Sequence, residues 1–258
     1  MNTELVPRAI LVTGAASGIG RAVAFQLAAA GCAVAALDRD AERLRPVVDE
    51  LSSAGAAEAL ALPVDVSDAA GVATAMEHAV DALGRLDGLV STAGVLEPGS
   101  LETTTAEAWQ RHFDVNVTGV FNLLQRGAPR LRDGGSIVVV SSNAARVPRT
   151  GMLAYSASKA AASALARCAG LELADRGIRC NAVEPGSTDT PMQRTLWPDP
   201  GLGARQAIGG DPVSYRVGIP LGRIGSPDDV AGLVSFLLSD AARHITMQRI
   251  TVDGGASL

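Results

Sequence analysis

Three cysteines, three histidines and no run of eighteen apolar residues mark this 258-residue chain, and each shortage removes a class of protein. Cys32, Cys168 and Cys180 form no CxxC pair and leave an odd count, which speaks against a disulfide framework and fits reduced thiols in a cytoplasmic protein. His78, His112 and His244 lie far apart, and His78 in "AMEHAVDAL" reads as a helix-surface residue, so no metal site is expected. Without a long apolar run there is no helix to cross a membrane. Without a cationic segment followed by a short apolar one at the start, a secretory signal is not expected either. The net charge of −5 and the scatter of basic residues, densest at Arg126, Arg130 and Arg132, argue against a nucleic-acid surface. No repeat, low-complexity tract or linker divides the chain, so residues 1–258 are expected to form one domain.

What is present is an alternation. Apolar runs at 9–14, 33–38, 59–66, 86–94, 136–142, 178–186 and 249–255 are separated by helical patterns, with an interruption expected near Pro46 in the second helix. Strands that read as continuous apolar runs belong to a parallel sheet covered on both faces. The expected architecture is α/β: a doubly wound, seven-stranded parallel sheet of Rossmann type. One long irregular segment, 187–220, is rich in Pro and Gly, as functional lids often are.

"TGAASGIG" (13–20) follows the first strand and opens the first helix, with Gly14, Gly18 and Gly20 spaced as a variant of the dinucleotide fingerprint. Such glycines let backbone N–H groups approach a pyrophosphate at a helix N-terminus. Asp38 ends the second strand, 18 residues past Gly20, where an acid binds ribose hydroxyls and repels an added phosphate. NAD is therefore expected over NADP. Arg39 beside it pulls the other way, and Ser17 stands where a basic residue would have favoured NADP. Asp65 and Val66 end the third strand at the same edge, within reach of an adenine amine.

In "AYSASKAAAS" (154–163), Tyr155 and Lys159 are four residues apart on one helix face, and no Asp or Glu lies between Gly151 and Leu171 to make the lysine a salt-bridge partner. A nearby ammonium is expected to favour the phenolate, and a base titrating nearer neutrality suits proton removal from an alcohol. Ser142, 13 residues before Tyr155, stands at the same sheet edge, where its hydroxyl can hold the reacting oxygen.

These stretches, with Asn116 in "VNVTG" and "PGSTDT" at 185–190, resemble the short-chain dehydrogenase/reductase family over residues 9–255. The resemblance implies that Tyr155 is the acid/base, that Lys159 tunes it and binds the nicotinamide ribose, that Ser142 orients the substrate and that Asn116 holds a relay water. It further implies that Gly14, Ser17, Gly18, Ile19, Gly20, Asp38, Arg39, Asp65, Val66, Ala93 and Gly94 surround the cofactor, with Pro185, Gly186, Thr188 and Thr190 at the nicotinamide end. The family's "NNAG" reads Ser91-Thr92-Ala93-Gly94 here, which puts a tie between neighbouring strands in doubt.

Within the family, "PRTGMLAYSASKAA", "PGSTDTPMQRTLW" and "GIPLGRIGSP" resemble the members that oxidise 2,3-dihydro-2,3-dihydroxybenzoate in catecholate siderophore synthesis. That implies a small cyclohexadiene carboxylate diol as substrate and a homotetramer. A buried carboxylate needs a partner, and Arg149 is the first candidate, with Met152 packing on the ring. Gln193, Arg194 and Arg146 are further candidates. Glu184, an acid just before Pro185, keeps open an amino-substituted analogue such as a dihydro-hydroxyanthranilate. A non-catalytic NAD sensor is the reading from another class.

Overall fold

The computed structural model describes residues 8–197 and 199–258; the first seven residues of the expected domain and Pro198 of the 187–220 segment lie outside them. The described residues form one parallel sheet of seven strands: β1 Ala9–Thr13, β2 Ala33–Asp38, β3 Ala59–Pro63, β4 Leu86–Ser91, β5 Leu131–Val140, β6 Arg179–Pro185 and β7 Arg249–Val252. Their order is β3-β2-β1-β4-β5-β6-β7. The direction of winding reverses between β1 and β4, so the crevice for a ligand opens at the carboxyl ends of these two strands. Every residue of β1, β4 and β6 is buried, as a sheet with helices on both faces requires.

One face carries α1 (Gly18–Ala29), α2 (Ala41–Ser53) and, far along the chain, α9 (Pro227–Leu238). Their apolar seams join Ile10, Val12, Val34, Val90, Val138 and Val183 in a single core. The other face carries α3 (Ala69–Leu83), α4 (Ala106–Phe113), α5 (Gly119–Gly127) and α6 (Leu153–Glu172), packed on Leu11, Leu37, Leu89, Ile137 and Val139. Asp40, Asp68 and Thr105 each accept a backbone N–H at the start of α2, α3 and α4, and Ser226 forms a reciprocal capping box with Asp229 at α9.

Some expected boundaries move. The second helix is not interrupted: α2 runs through Pro46, which faces solvent while Leu44, Val47 and Leu51 hold the buried seam. The missing N–H leaves a carbonyl that water can reach, so the break is tolerated. Strands β3 and β4 stop at Pro63 and Ser91, short of 66 and 94, because the chain turns there. Asp65 shapes the first of these turns by accepting from the Ser67 N–H (2.9 Å) and hydroxyl (2.7 Å). Strand β5 begins earlier, at Leu131, through an irregular register opposite β4, and ends two residues before Ser142. The 187–220 segment is not irregular throughout: it holds α7 (Pro191–Arg194), α8 (Pro200–Gly209) and a turn closed by an antiparallel bridge from Asp211 to Arg216.

Candidate active site

Two cavities meet at Tyr155 and Ser141, where β4, β5 and β6 end. The first, about 300 Å³, is a trough along the ends of β1, β2 and β3. Gly14, Ser17, Gly18, Ile19 and Gly20 form its floor, Asp38 and Arg39 one end, Asp65 and Val66 a side, and Ala93 and Gly94 the wall nearest Lys159. A Cβ on Gly20 would fall 2.2 Å from the Gly14 carbonyl oxygen and 2.4 Å from the Thr92 hydroxyl, so only glycine lets the helix start this close to the strand. Asp38 is held in place, one oxygen accepting the Ala16 N–H (3.1 Å) and the other the Asp40 N–H (3.0 Å). This is a cradle with an open helix N-terminus and a fixed acid at its far end, which fits a dinucleotide.

The departure at Ser91-Thr92 finds its answer in the same place. The Thr13 hydroxyl accepts the N–H groups of Thr92 (3.1 Å) and Ala93 (3.2 Å), and the Thr92 hydroxyl donates to the Thr13 carbonyl. A pair of threonines thus ties β1 to β4 where the family's asparagine would stand. Thr92 was noted in the sequence only as a departure, and Thr13 not as a tie, because an isolated Thr carries no signal of its partner.

The second cavity, about 410 Å³, lies beyond Tyr155 under the 187–220 segment. Ser142, Arg149, Met152, Pro185, Gly186, Thr188, Thr190 and Gln193 line it together with Tyr155 and Ile19, so ten sequence-derived candidates converge there. The sequence reading had missed Leu96, Pro98, Met192, Leu196, Trp197 and Arg216, all of which also line it. They come from loops whose approach no local pattern encodes.

Tyr155, Ser158, Lys159, Ala162 and Ser163 make the buried face of α6, at the i, i+3, i+4 spacing. Ser142 lies just past β5 in extended backbone, accepting the Ala144 N–H (3.1 Å). Lys159 is the only lysine among 22 cationic residues, a signal the sequence offered directly. Its Nζ donates to the Val140 carbonyl (3.1 Å), and burial brings its pKa down to about 8. It stands 5.8 Å from the centre of the Tyr155 ring.

The expected phenolate is not what this environment favours. Burial pushes the Tyr155 phenol up from its usual value, and the opposing pulls come from the Ser142 hydroxyl and the Arg149 charge rather than from Lys159. Desolvation wins because both phenol and ammonium are out of water, and each charged form suffers for it.

Asn116 sits in a π-helical turn, Asp114–Thr118, between α4 and α5. Its Oδ1 accepts the Val95 N–H (2.9 Å), and its Nδ2 donates to the Val95 carbonyl (3.0 Å) and the Ser158 hydroxyl (3.0 Å). The side chain therefore braces the loop after β4 against α6. Gly94 permits it: a Cβ there would lie 3.1 Å from Asn116 Oδ1 and 3.3 Å from Lys159 Nζ.

Three residues weighed for substrate contact lie elsewhere. Arg194 makes a two-point ion pair with Asp189 (2.7 and 2.9 Å) on the outer side of α7, because an exposed acid five residues away offers a better partner than the cavity. Arg146 is exposed outside the cavity, its Nε 3.6 Å from Glu184. Glu184 itself is fully buried behind the site, where it accepts from the Ser163 hydroxyl (2.8 Å) and from Arg249 (2.5 Å). It does not line the cavity, which removes the observation that had favoured an amino-substituted substrate. The Ser163 hydroxyl also bonds the Ser141 hydroxyl (2.9 Å), which donates to the Lys159 carbonyl (2.7 Å), so Glu184 props the strand end and α6 together.

A family profile described as enoyl-(acyl carrier protein) reductase matches residues 14–257. The chain belongs to the short-chain dehydrogenase/reductase family. It is 48% identical over 249 residues to a Bacillus subtilis (strain 168) protein named 2,3-dihydro-2,3-dihydroxybenzoate dehydrogenase, covering 96% of this chain and 95% of that one. An Escherichia coli (strain K12) protein of the same name is 45% identical over 252 residues, covering 96% of each. Among solved structures, a short-chain dehydrogenase from Mycobacterium paratuberculosis bound to NAD superposes with a TM-score of 0.88 at 34% identity, covering 98% of this chain and 99% of that one. One from Burkholderia cenocepacia J2315 in complex with NADP superposes at 0.87 and 36%, covering 100% of both. The fold thus serves both cofactors, and the choice falls to residues at the end of β2. Among the described residues no helix is long and apolar enough to cross a membrane, and no cluster of His, Cys, Asp and Glu could hold a metal ion.

Proposed function

We propose that this chain oxidises 2,3-dihydro-2,3-dihydroxybenzoate to 2,3-dihydroxybenzoate with NAD, in the making of a catecholate siderophore or related secondary metabolite. The observation that carries the reading is the second cavity: it abuts Tyr155 and Ser142, holds arginine, and has no acid in its lining. That is a seat for a small anion with an alcohol at one end. The two relatives named for this reaction support it, as does Asp38, a fixed carboxylate that disfavours the extra phosphate of NADP.

NAD, when bound in the glycine trough, supplies the hydride acceptor. Ser142 holds the reacting hydroxyl by a hydrogen bond. Tyr155 takes its proton as the ring carbinol carbon gives up its hydride, and Lys159, with its pKa near 8, carries the balancing charge below that pH. Asn116 keeps an Oδ1 lone pair for a relay water while it braces Val95. Residues 187–220 form the substrate loop, with Met152 and Gln193 against the ring. The ketone product tautomerises to an aromatic ring, which makes the oxidation effectively one-way.

The enzyme is read as a cytoplasmic homotetramer. Three free cysteines agree with a reducing compartment, and exposed Trp109, Phe121 and Leu171 on α4, α5 and α6 offer apolar surface to a partner. The deciding assay adds the dihydrodiol and NAD and follows NADH absorbance and product mass. NADH growth with 2,3-dihydroxybenzoate formed, and a kcat/KM at least tenfold poorer with NADP, is the expected result. No turnover of the carboxylated diol would refute the substrate, and comparable kcat/KM with both cofactors would show that Arg39 overrides Asp38.

A further inference from the structure

We propose that Arg216 joins Arg149 in a two-guanidinium seat for the substrate's carboxylate, an inference that rests on the reading of the second cavity as a seat for an anionic diol. The two arginines come from separate parts of the chain. Arg149 lies between β5 and α6, and Arg216 closes the turn after α8, yet both line the same cavity, whose walls hold no Asp or Glu. Among the described residues neither side chain has a hydrogen-bonded or ion-paired partner. Arg194 is paired with Asp189 and Arg223 with Asp229; Arg205 and Arg216 are both exposed, but only Arg216 lines the cavity.

Two cations facing one cavity repel each other unless an anion sits between them. Burial and the Arg216 charge both push the Arg149 pKa down, against smaller upward pulls from Asp253 and Tyr155. An acid acting on Arg149 is Asp253, whose oxygens are engaged by the Asn143 side chain (3.2 Å) and the Gly255 N–H (3.0 Å). A planar carboxylate can accept from two guanidinium forks at once, which a neutral ring substituent cannot.

The backbone holds Arg216 ready. Asp211 and Arg216 exchange both backbone hydrogen bonds (2.9 and 2.8 Å), and the Asp211 carboxylate accepts from the Val213 N–H (3.0 Å) and the Ser214 hydroxyl (2.5 Å). Tyr215 is drawn into left-handed backbone (φ 56°), an uncommon conformation for a bulky residue. The turn is thus tightly defined although its surface is exposed, and it aims Arg216 at the end of the cavity where Arg149 stands. With the carboxylate there, Met152, Met192 and Trp197 would flank the ring, and the carbinol would point toward Ser142 and Tyr155.

Arg216→Gln, Arg149→Gln and the double variant, assayed on the carboxylated dihydrodiol and on the same cyclohexadiene diol without its carboxylate, test this. Loss of one charge-assisted contact corresponds to roughly tenfold or more in binding. Arg216→Gln is expected to raise KM for the carboxylated diol about tenfold and to affect the neutral diol several-fold less. Arg216→Lys should recover part of the loss, and in the Arg149→Gln background Arg216→Gln should have only a fraction of its effect. Benzoate binding to the NADH complex, followed by cofactor fluorescence, gives a reading that needs no turnover, and Arg216→Gln should weaken it to a similar degree. Unchanged benzoate affinity, or equal KM losses on both diols, would overturn the two-arginine seat. If the wild type binds benzoate through Arg216 but turns over no carboxylated diol, the seat stands and the proposed reaction falls.

Discussion

Lys159 carries a cost that its position explains. A lysine whose pKa falls from 10.5 to about 8 binds fewer protons folded than unfolded between those values, so stability rises with pH across that window and the full penalty is present below pH 8. At about 1.4 kcal/mol per unit, a fall from 10.5 to about 8 is a penalty on the order of 3–4 kcal/mol. Lys159→Met is therefore expected to melt higher than the wild type at pH 7, with the gain shrinking as pH approaches 10.5, while turnover drops at least a hundredfold. A variant that melts lower at pH 7 would show that the hydrogen bond outweighs desolvation. Tyr155→Phe is expected to abolish turnover yet retain NAD, because the glycine trough and Asp38 hold the cofactor. Retention of a tenth of kcat would move the base elsewhere. The phenol is raised in the free protein, so proton abstraction should strengthen with rising pH, and the ascending limb of kcat/KM reports this group.

At the scale of elements, the crossing of β1 and β4 depends on one hydroxyl in two roles. Thr92 bridges the strand ends through Thr13 and also lies 2.4 Å from where a Gly20 Cβ would be, so it spaces strand, strand and helix at once. Thr92→Val keeps the shape and removes the bond. A loss of about 1–2 kcal/mol is expected, or about 2–8 °C in melting temperature for a chain of this size, together with weaker NAD binding because Ala93 loses its setting. An unchanged melting temperature would mean that the Thr13 hydroxyl alone, through its two N–H contacts, holds the joint. The Tyr155–Lys159 spacing was legible because helix geometry is local. The balance at the phenol was not, since the burial that raises it comes from packing between remote segments, and Ser142 and Arg149, which pull it back, arrive from a different element.

At the scale of the whole molecule, apolar side chains stand exposed on neighbouring helices. Trp109 stacks on Phe113 with ring centres 4.6 Å apart, and Trp109, Phe121 and Leu171 remain exposed on neighbouring helices. Light scattering at micromolar concentration is expected to give four times the 26.3 kDa chain mass. A monomer would remove the quaternary reading and leave this surface to another partner. Small residues on α6 serve the site: Ser158, Ala162, Ser163 and Ala166 allow the helix to lie close on β5 and β6, which places Tyr155 beside Ser142.

What the linear order of residues determined by itself was everything with a short period or a short spacing. Continuous apolar runs made a parallel sheet, Gly14 through Gly20 made the trough, and Tyr155 with Lys159 made one helix face, because pleat, helix pitch and glycine backbone are properties of neighbouring residues. The tertiary structure alone decided which arginines face the cavity. Arg146, Arg149, Arg194 and Arg216 are alike as residues, and only the folded chain gives Arg146 and Arg194 acids to pair with and places Arg149, half-buried, and Arg216, exposed, on the cavity wall with no ion-paired acid. The same holds for Glu184, an acid at the sheet edge whose role the sequence leaves open and which is a buried prop in space, since Arg249 and Ser163 reach it from distant strand and helix. Charge pairing acts through distance, and distance between remote segments is set by packing rather than by order along the chain.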